Sequence, residues 1–184
     1  MAPSFQSSPT GRGGARLYRT IRPPIGEDNE GKLYSVAISP DGKTIACGGW
    51  TKLGSDSGNT IYLFNLATGS LTGRISSLSN VINYLAFSPD GRLLAASLGG
   101  KNGIRVYRTS DRSQIGEDNG YGDNSFSAHF SNDNRLVTTS YDGFIRMYHV
   151  GANSHSLLQL LAKVKVPNGS RPYAARFSPD GAKG

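Results

Sequence analysis

Few residues in this chain have the types and spacing that chemistry requires. Gly26 to Lys32 matches Gly-x4-Gly-Lys, the spacing of a loop that cradles phosphate. The neighbours defeat that reading. Leu33 stands where a magnesium-binding hydroxyl is needed, and Glu27, Asp28 and Glu30 would repel phosphate. The residues after Lys32 read as a strand, not as a helix whose N-terminus could hold an anion. Gly42-Lys43-Thr44 has the right end of the motif, but Ala37 occupies the first glycine position. Gly54-Ser55-Asp56-Ser57-Gly58 has no serine in the middle, as a nucleophile loop needs. Nucleotide binding and nucleophilic catalysis are therefore not expected.

The histidines do no better. His149 and His155 lie six apart with no third ligand in reach by spacing. His129 reads as a hydrogen-bonded core or channel residue, with Arg176 at the matching place of a later repeat. Calcium at Glu27, Asp28 or Asp118 lacks a recognised ligand spacing. The reading is of a protein with no catalytic residues, no metal and no cofactor. Asn168-Gly169-Ser170 fits a glycosylation acceptor only by chance, since no secretory signal is visible.

The elements that would position any site come from a repeat. An apolar residue followed by Ser-Pro-Asp-Gly occurs at Ile38–Gly42, Phe87–Gly91 and Phe177–Gly181, and in altered form at Phe130–Asn134. Each copy reads as a tight turn between two strands. Proline presets φ, aspartate accepts local hydrogen bonds, and glycine or asparagine takes the left-handed conformation. The turn serines stand at 39, 88, 131 and 178, so the spacings are 49, 43 and 47. A period of that size marks a propeller blade or a related array. Aligned on the turns, Val36-Ala37-Ile38, Leu85-Ala86-Phe87, Ala128-His129-Phe130 and Ala175-Arg176-Phe177 read as first strands. Thr44–Gly48, Leu93–Ser97 and Leu136–Ser140 read as second strands.

Third strands begin at Ile61, Ile104 and Ile145, where Tyr62, Arg105 and Arg146 alternate with apolar neighbours as on a half-exposed strand. Weaker fourth strands are expected at Leu71–Ile75, Arg112–Ile115 and Leu160–Val166. The leucines from Leu157 onward would also suit a short helix, but the repeat context favours a strand.

The expected architecture is all-β, with four-stranded antiparallel meanders over 33–78, 80–119 and 124–167. A fourth unit is represented by its first strand alone, 171–178. Leu17–Ile21 could add a short strand stopped by Pro23-Pro24. Residues 1–15, rich in Ser, Pro and Gly, read as a disordered N-terminus, and residues 16–184 as the repeat domain.

Composition agrees with a turn-rich β protein: 24 glycines and only 18% charged residues. The net charge of +7 is concentrated at the start, where Arg12, Arg16, Arg19 and Arg22 precede the first acid. With no basic run interleaved with aromatics, nucleic acid is not the expected partner. Cys47 is the single cysteine, so no intrachain disulfide exists. No apolar stretch reaches 18 residues, which leaves the membrane out and a cytoplasmic location as the expectation.

The strand–Ser-Pro-Asp-Gly–strand copies, with Ser140-Tyr141-Asp142-Gly143-Phe144-Ile145-Arg146 as a second turn and third strand, resemble the WD-repeat β-propeller family over about 17–184. The nearest flavour is its prokaryotic WD-like repeats. The Trp-Asp pair that names the family is replaced by Phe64-Asn65, Tyr107-Arg108 and Tyr148-His149. Asp142 alone stands where the resemblance places a structural aspartate, with Ser140 in its hydrogen-bond network. The family's propellers close radially with several blades. Three blades and a strand do not close, so the chain reads as a fragment, a ring-closing self-associating unit or an open array.

The resemblance implies a non-enzymatic interaction scaffold with a protein or peptide partner. Its alternative is a sensor segment of a multidomain enzyme such as a caspase-like peptidase. A propeller hydrolase would need acids and amides at the inner strand positions, which hold Ala37, Ala86, His129 and Arg176. The binding face of the disc carries the second-to-third-strand loops and the interblade loops. There this chain has a long insert, Trp50 to Asn59, with its single tryptophan and Lys52. The repeated Ile-Gly-Glu-Asp-Asn at 25–29 and 115–119 reads as interblade loop, bringing Glu27, Asp28, Glu117 and Asp118, with Asp123 close by. Trp50 beside these acids would anchor a peptide bearing basic residues.

Overall fold

The computed structural model describes residues 17–26, 31–52, 54, 56–151 and 157–178. Three four-stranded antiparallel sheets follow one another along the chain. The first contains β1 (Lys32–Ile38), β2 (Thr44–Trp50), β3 (Asn59–Asn65) and β4 (Leu71–Leu78) in simple meander order. The second contains β5 (Ile82–Phe87), β6 (Leu93–Leu98), β7 (Ile104–Arg108) and β8 (Gln114–Asp118). The third contains β9 (Ser125–Phe130), β10 (Arg135–Ser140), β11 (Phe144–Val150) and β12 (Leu158–Lys165). The leucine-rich last segment is thus a strand, paired along β11.

Each turn between first and second strands is built by its own side chains. Ser39 Oγ donates to Asp41 Oδ1 at 2.6 Å and accepts the Thr44 N–H at 2.9 Å. Ser88 and Asp90 repeat this with the Leu93 N–H. Ser131 and Asp133 repeat it with the Arg135 N–H. The Ser39 hydroxyl and the Lys43 N–H hold the Asp41 carboxyl below its ordinary value. Gly42, Gly91 and Asn134 have φ of 68°, 72° and 64°, which is why glycine or asparagine recurs there. The fourth copy of the turn, 179–181, lies outside the described residues.

The cores sit between sheets. Ala46, Ile61 and Leu63 of the first sheet pack on Leu85, Leu94, Ala96 and Tyr107 of the second. Ala95, Ile104 and Val106 of the second face Ala128, Leu136 and Tyr148 of the third. The neighbours Ala95 and Ala96 are both fully buried and belong to opposite cores. A sheet covered on both faces buries successive residues, not alternate ones. This corrects the half-exposed reading of the third strands. Tyr62 and Arg146 are each 1% exposed, and the Arg105 side chain is 12% exposed.

Two expected strands are not formed. Leu17–Ile21 has no ladder partner. Arg19 instead donates to the carbonyls of Ala67 and Thr68, and Ile21 packs on Cys47, Tyr62 and Phe64. Residues 171–178 likewise carry no ladder. They lie against the third sheet through single bonds: Thr139 Oγ1 donates to the Tyr173 carbonyl at 3.0 Å, and the Phe177 N–H donates to His129 Nδ1 at 3.1 Å. A strand needs a continuous main-chain partner, and side-chain contacts of this kind do not supply one.

The turns yield a direct test. Gly91→Val forces a branched side chain into the left-handed region and should cost about 1–2 kcal/mol, whereas Asn134→Gly should leave stability unchanged or raise it. Urea midpoints of the two variants against the parent chain check this.

Candidate functional site

At one end of the sheets lie the second-to-third-strand loops and the interblade connections; the Ser-Pro-Asp-Gly turns lie at the other. The loop end is cross-braced. Gly99 N–H donates to the Val81 carbonyl at 2.8 Å, and Gly100 N–H to Asn124 Oδ1 at 2.7 Å. Tyr141 N–H donates to the Asn124 carbonyl at 3.0 Å. In the first sheet Asn59 Oδ1 accepts the N–H groups of Thr51 and Lys52, and Thr51 Oγ1 donates to the Thr60 carbonyl at 2.6 Å. All three of Thr51, Asn59 and Thr60 are buried. The expected insert is therefore shorter than its sequence suggested: Trp50 ends β2, opposite Lys32, and Asn59 begins β3.

Trp50 is 37% exposed and Lys52 is exposed, both on the first sheet. Three of the expected acidic partners, Glu117, Asp118 and Asp123, are elsewhere. Glu117 and Asp118 are not loop residues but the last two of β8, where Asp118 pairs with Ile104 and Glu117 with Arg105. Glu117 makes a 3.2 Å ion pair with Arg105. Asp118 accepts the Tyr148 hydroxyl at 2.7 Å and the Gly120 N–H at 2.6 Å. Asp123 accepts the Asn124 main-chain and side-chain N–H groups. Asp118 and Asp123 are half-buried and turned into the framework, where buried donors need acceptors, while Glu117 stays exposed in its pair with Arg105. Glu27 and Asp28 lie outside the described residues. The structure thus leaves Trp50 and Lys52 on one blade and Glu117, Asp118 and Asp123 at the junction of the next two.

That junction holds a buried polar network. Arg146, on β11, donates to both oxygens of Asp142 and to the Gly120 carbonyl, and lies 3.9 Å from the Tyr121 ring centroid. Burial would raise the Asp142 carboxyl. Arg146 and the N–H groups of Gly122 and Phe144 outweigh it and hold the carboxyl down at about 2. The Tyr121 hydroxyl bonds Thr138 Oγ1 at 2.6 Å and the Tyr148 hydroxyl at 3.0 Å. Burial pushes Tyr121 up to about 12 and Tyr148 higher still, so both stay neutral. Ser140 Oγ donates to the Asp123 carbonyl and accepts the Asp142 N–H. This network binds blades together. Among the described residues no three His, Cys, Asp or Glu are grouped to hold a metal.

The sequence reading missed a second feature, an aromatic recess on the inner strands. Tyr34, Asn83, Tyr84, Phe126, Ser127, Tyr173 and Ala174 line a cavity of about 410 Å³. Phe126 stands 4.3 Å from Tyr141 and 5.0 Å from Tyr173, between ring centroids. Arg176 donates to the Tyr84 hydroxyl and to Ser127 Oγ at 2.9 Å, and Arg171 lies over the Tyr141 ring. The signal was present in the repeat. The position five residues before each turn serine holds Tyr34, Asn83, Phe126 and Tyr173.

The class of protein follows from this fold. The family model described as "WD domain, G-beta repeat" matches residues 24–65, 67–108 and 117–149, and the chain belongs to that family. The second match joins β4 of one sheet to β5–β7 of the next, so the sequence repeat is offset from the sheet by one strand.

Three solved structures show the same fold at 17% identity. "Crystal structure of RRP9 WD40 repeats" has a TM-score of 0.62, covering 74% of this chain and 39% of that one. A chain of "Crystal Structure of Mitotic Checkpoint Complex" has 0.66, with 82% and 44% covered. "Structure of U3-55K" has 0.60, with 74% and 40% covered. The chain thus spans less than half the length of these structures. No curated protein matches it. Among the described residues no helix is long and apolar enough to cross a membrane.

His129 supplies a pH test. Burial disfavours its imidazolium and Arg176 repels it, so its pKa lies below 6.5. A depressed histidine contributes stability that is present above its ordinary pKa and lost as pH falls through the folded value. The ring should titrate below 6.5 by NMR, with the Phe177 amide shifting over the same range. His129→Gln should remove that response.

Proposed function

We propose that this chain is a non-enzymatic protein-interaction scaffold that engages a protein or peptide through the loop end of its blades. The observation that carries the reading is a division of labour among side chains. Asp118, Asp123, Asp142 and Arg146 are committed to bracing the framework. Trp50, Tyr34 and Tyr173, at 37%, 56% and 62% exposed, are left to solvent at the same end. Large aromatics on a rigid support are the residues that dominate protein interfaces. Membership of the WD-repeat family agrees with this reading. The coverage of under half of each similar structure supports the further proposal that these blades are part of a larger ring.

Trp50 is the sharpest probe of the surface. Truncating a central tryptophan costs about 2 kcal/mol or more in binding, roughly thirtyfold in Kd. Trp50→Ala should therefore reduce retention of partner proteins on the immobilised chain, while its thermal unfolding stays close to that of the parent. Equal retention, or a large loss of stability, would overturn the assignment of Trp50 to the binding face.

A further inference from the structure

We infer that the aromatic recess on the inner strands is the anchor site for an acidic peptide segment of a partner protein, one carrying an aromatic or branched apolar side chain beside an aspartate or glutamate. The inference rests on the scaffold reading and gives its partner a chemistry.

The first argument is placement. Tyr34, Asn83, Phe126 and Tyr173 occupy one register position in successive repeats. The inner strands β1, β5 and β9 and the segment 171–178 therefore present them along one rim, at the loop end. The recess of about 410 Å³ is of the size that binds a ligand group. Its walls are mostly rings. Aromatic walls give contact area at low entropy cost, since the rings have few torsions to fix.

The second argument is charge. None of the seven lining residues is acidic. Arg176 reaches Tyr84 and Ser127 on the wall, and Arg171 lies over Tyr141, which packs on Phe126 and Tyr173. The carboxylates nearest in the chain, Asp123 and Asp142, are already bound to Asn124 and to Arg146. An arginine fork beside an apolar wall is suited to a carboxylate next to an apolar side chain. A ligand cation would meet Arg176, which already sits 5.3 Å from the Tyr84 ring centroid. The partner chemistry is the reverse of the basic peptide that the acidic repeats suggested. Stacked bases would also suit the rings, but the chain has no basic run interleaved with aromatics to follow a phosphate backbone.

The test is selection from a phage-displayed random peptide library on the purified chain, followed by fluorescence anisotropy with the selected peptides. The selected sequences should share an acidic residue adjacent to an aromatic or branched apolar one. Tyr173→Ala and Arg171→Ala should each weaken binding tenfold or more, with thermal unfolding unchanged. Arg171→Glu should prefer a peptide whose acid is replaced by lysine, an inversion that a merely structural role would not produce. Selected peptides that bind all variants equally would overturn the site and leave the scaffold reading standing. Selection of basic peptides, or tighter binding of a single-stranded oligonucleotide, would overturn the partner chemistry. Failure to select any peptide would count against both.

Discussion

A guanidinium withdrawn from water is the constraint on which the rest of this structure depends. Arg146 is 1% exposed, and stripping its charge of water costs several kcal/mol unless the site answers it fully. Four groups do so: two oxygens of Asp142, the Gly120 carbonyl and the face of Tyr121. They come from the β10–β11 turn and from the connection between the second and third sheets. The pair therefore fixes the third sheet against the second. It also fixes the path of residues 119–124, and with it the start of β9, where Phe126 stands. The aromatic recess inherits its geometry from a charge pair that never touches it.

The same logic explains where the acids went. A β-propeller blade is a sheet with neighbours on both faces, so polar groups at the blade ends must be satisfied locally. Asp118 meets Tyr148, Asp123 meets Asn124, and Asp142 meets Arg146 and two N–H groups. Among the described residues at that end, Trp50, Tyr34 and Tyr173 stay exposed. The joint between the second and third sheets is thus made by tyrosine hydroxyls and an arginine paired with Asp142.

The fold was legible because turns are local. Ser-Pro-Asp-Gly carries its own hydrogen bonds within five residues, so its strands and their period could be read directly. Faces were less legible. Alternation at Tyr62, Arg105 and Arg146 looks the same whether the polar face meets water or another blade, and only the partners decide. The partner of Arg146 at Gly120 is 26 residues away. Glu117 and Asp118 were misplaced for the same reason, since their pairing with β7 is not encoded in their own acidity. Of the expected site, Trp50 and Lys52 lie at the surface, while Glu117, Asp118 and Asp123 belong to the junction of the next two sheets. The aromatic register was present in the alignment, but Asn83 interrupts it and conceals the pattern.

Hydrogen exchange tests the central claim most directly, because burial between blades and bracing by Arg146 make a definite order of protection. Main-chain amides of β6, β7 and β10, covered on both faces, should exchange slowest. Those of β1 and β12, whose outward residues are exposed, should exchange fastest among the strands. Replacing Arg146 with methionine should collapse protection in β10 and β11 before it touches β2 and β3. Uniform protection across the three sheets, or loss that begins in the first sheet, would contradict an array held together by that joint.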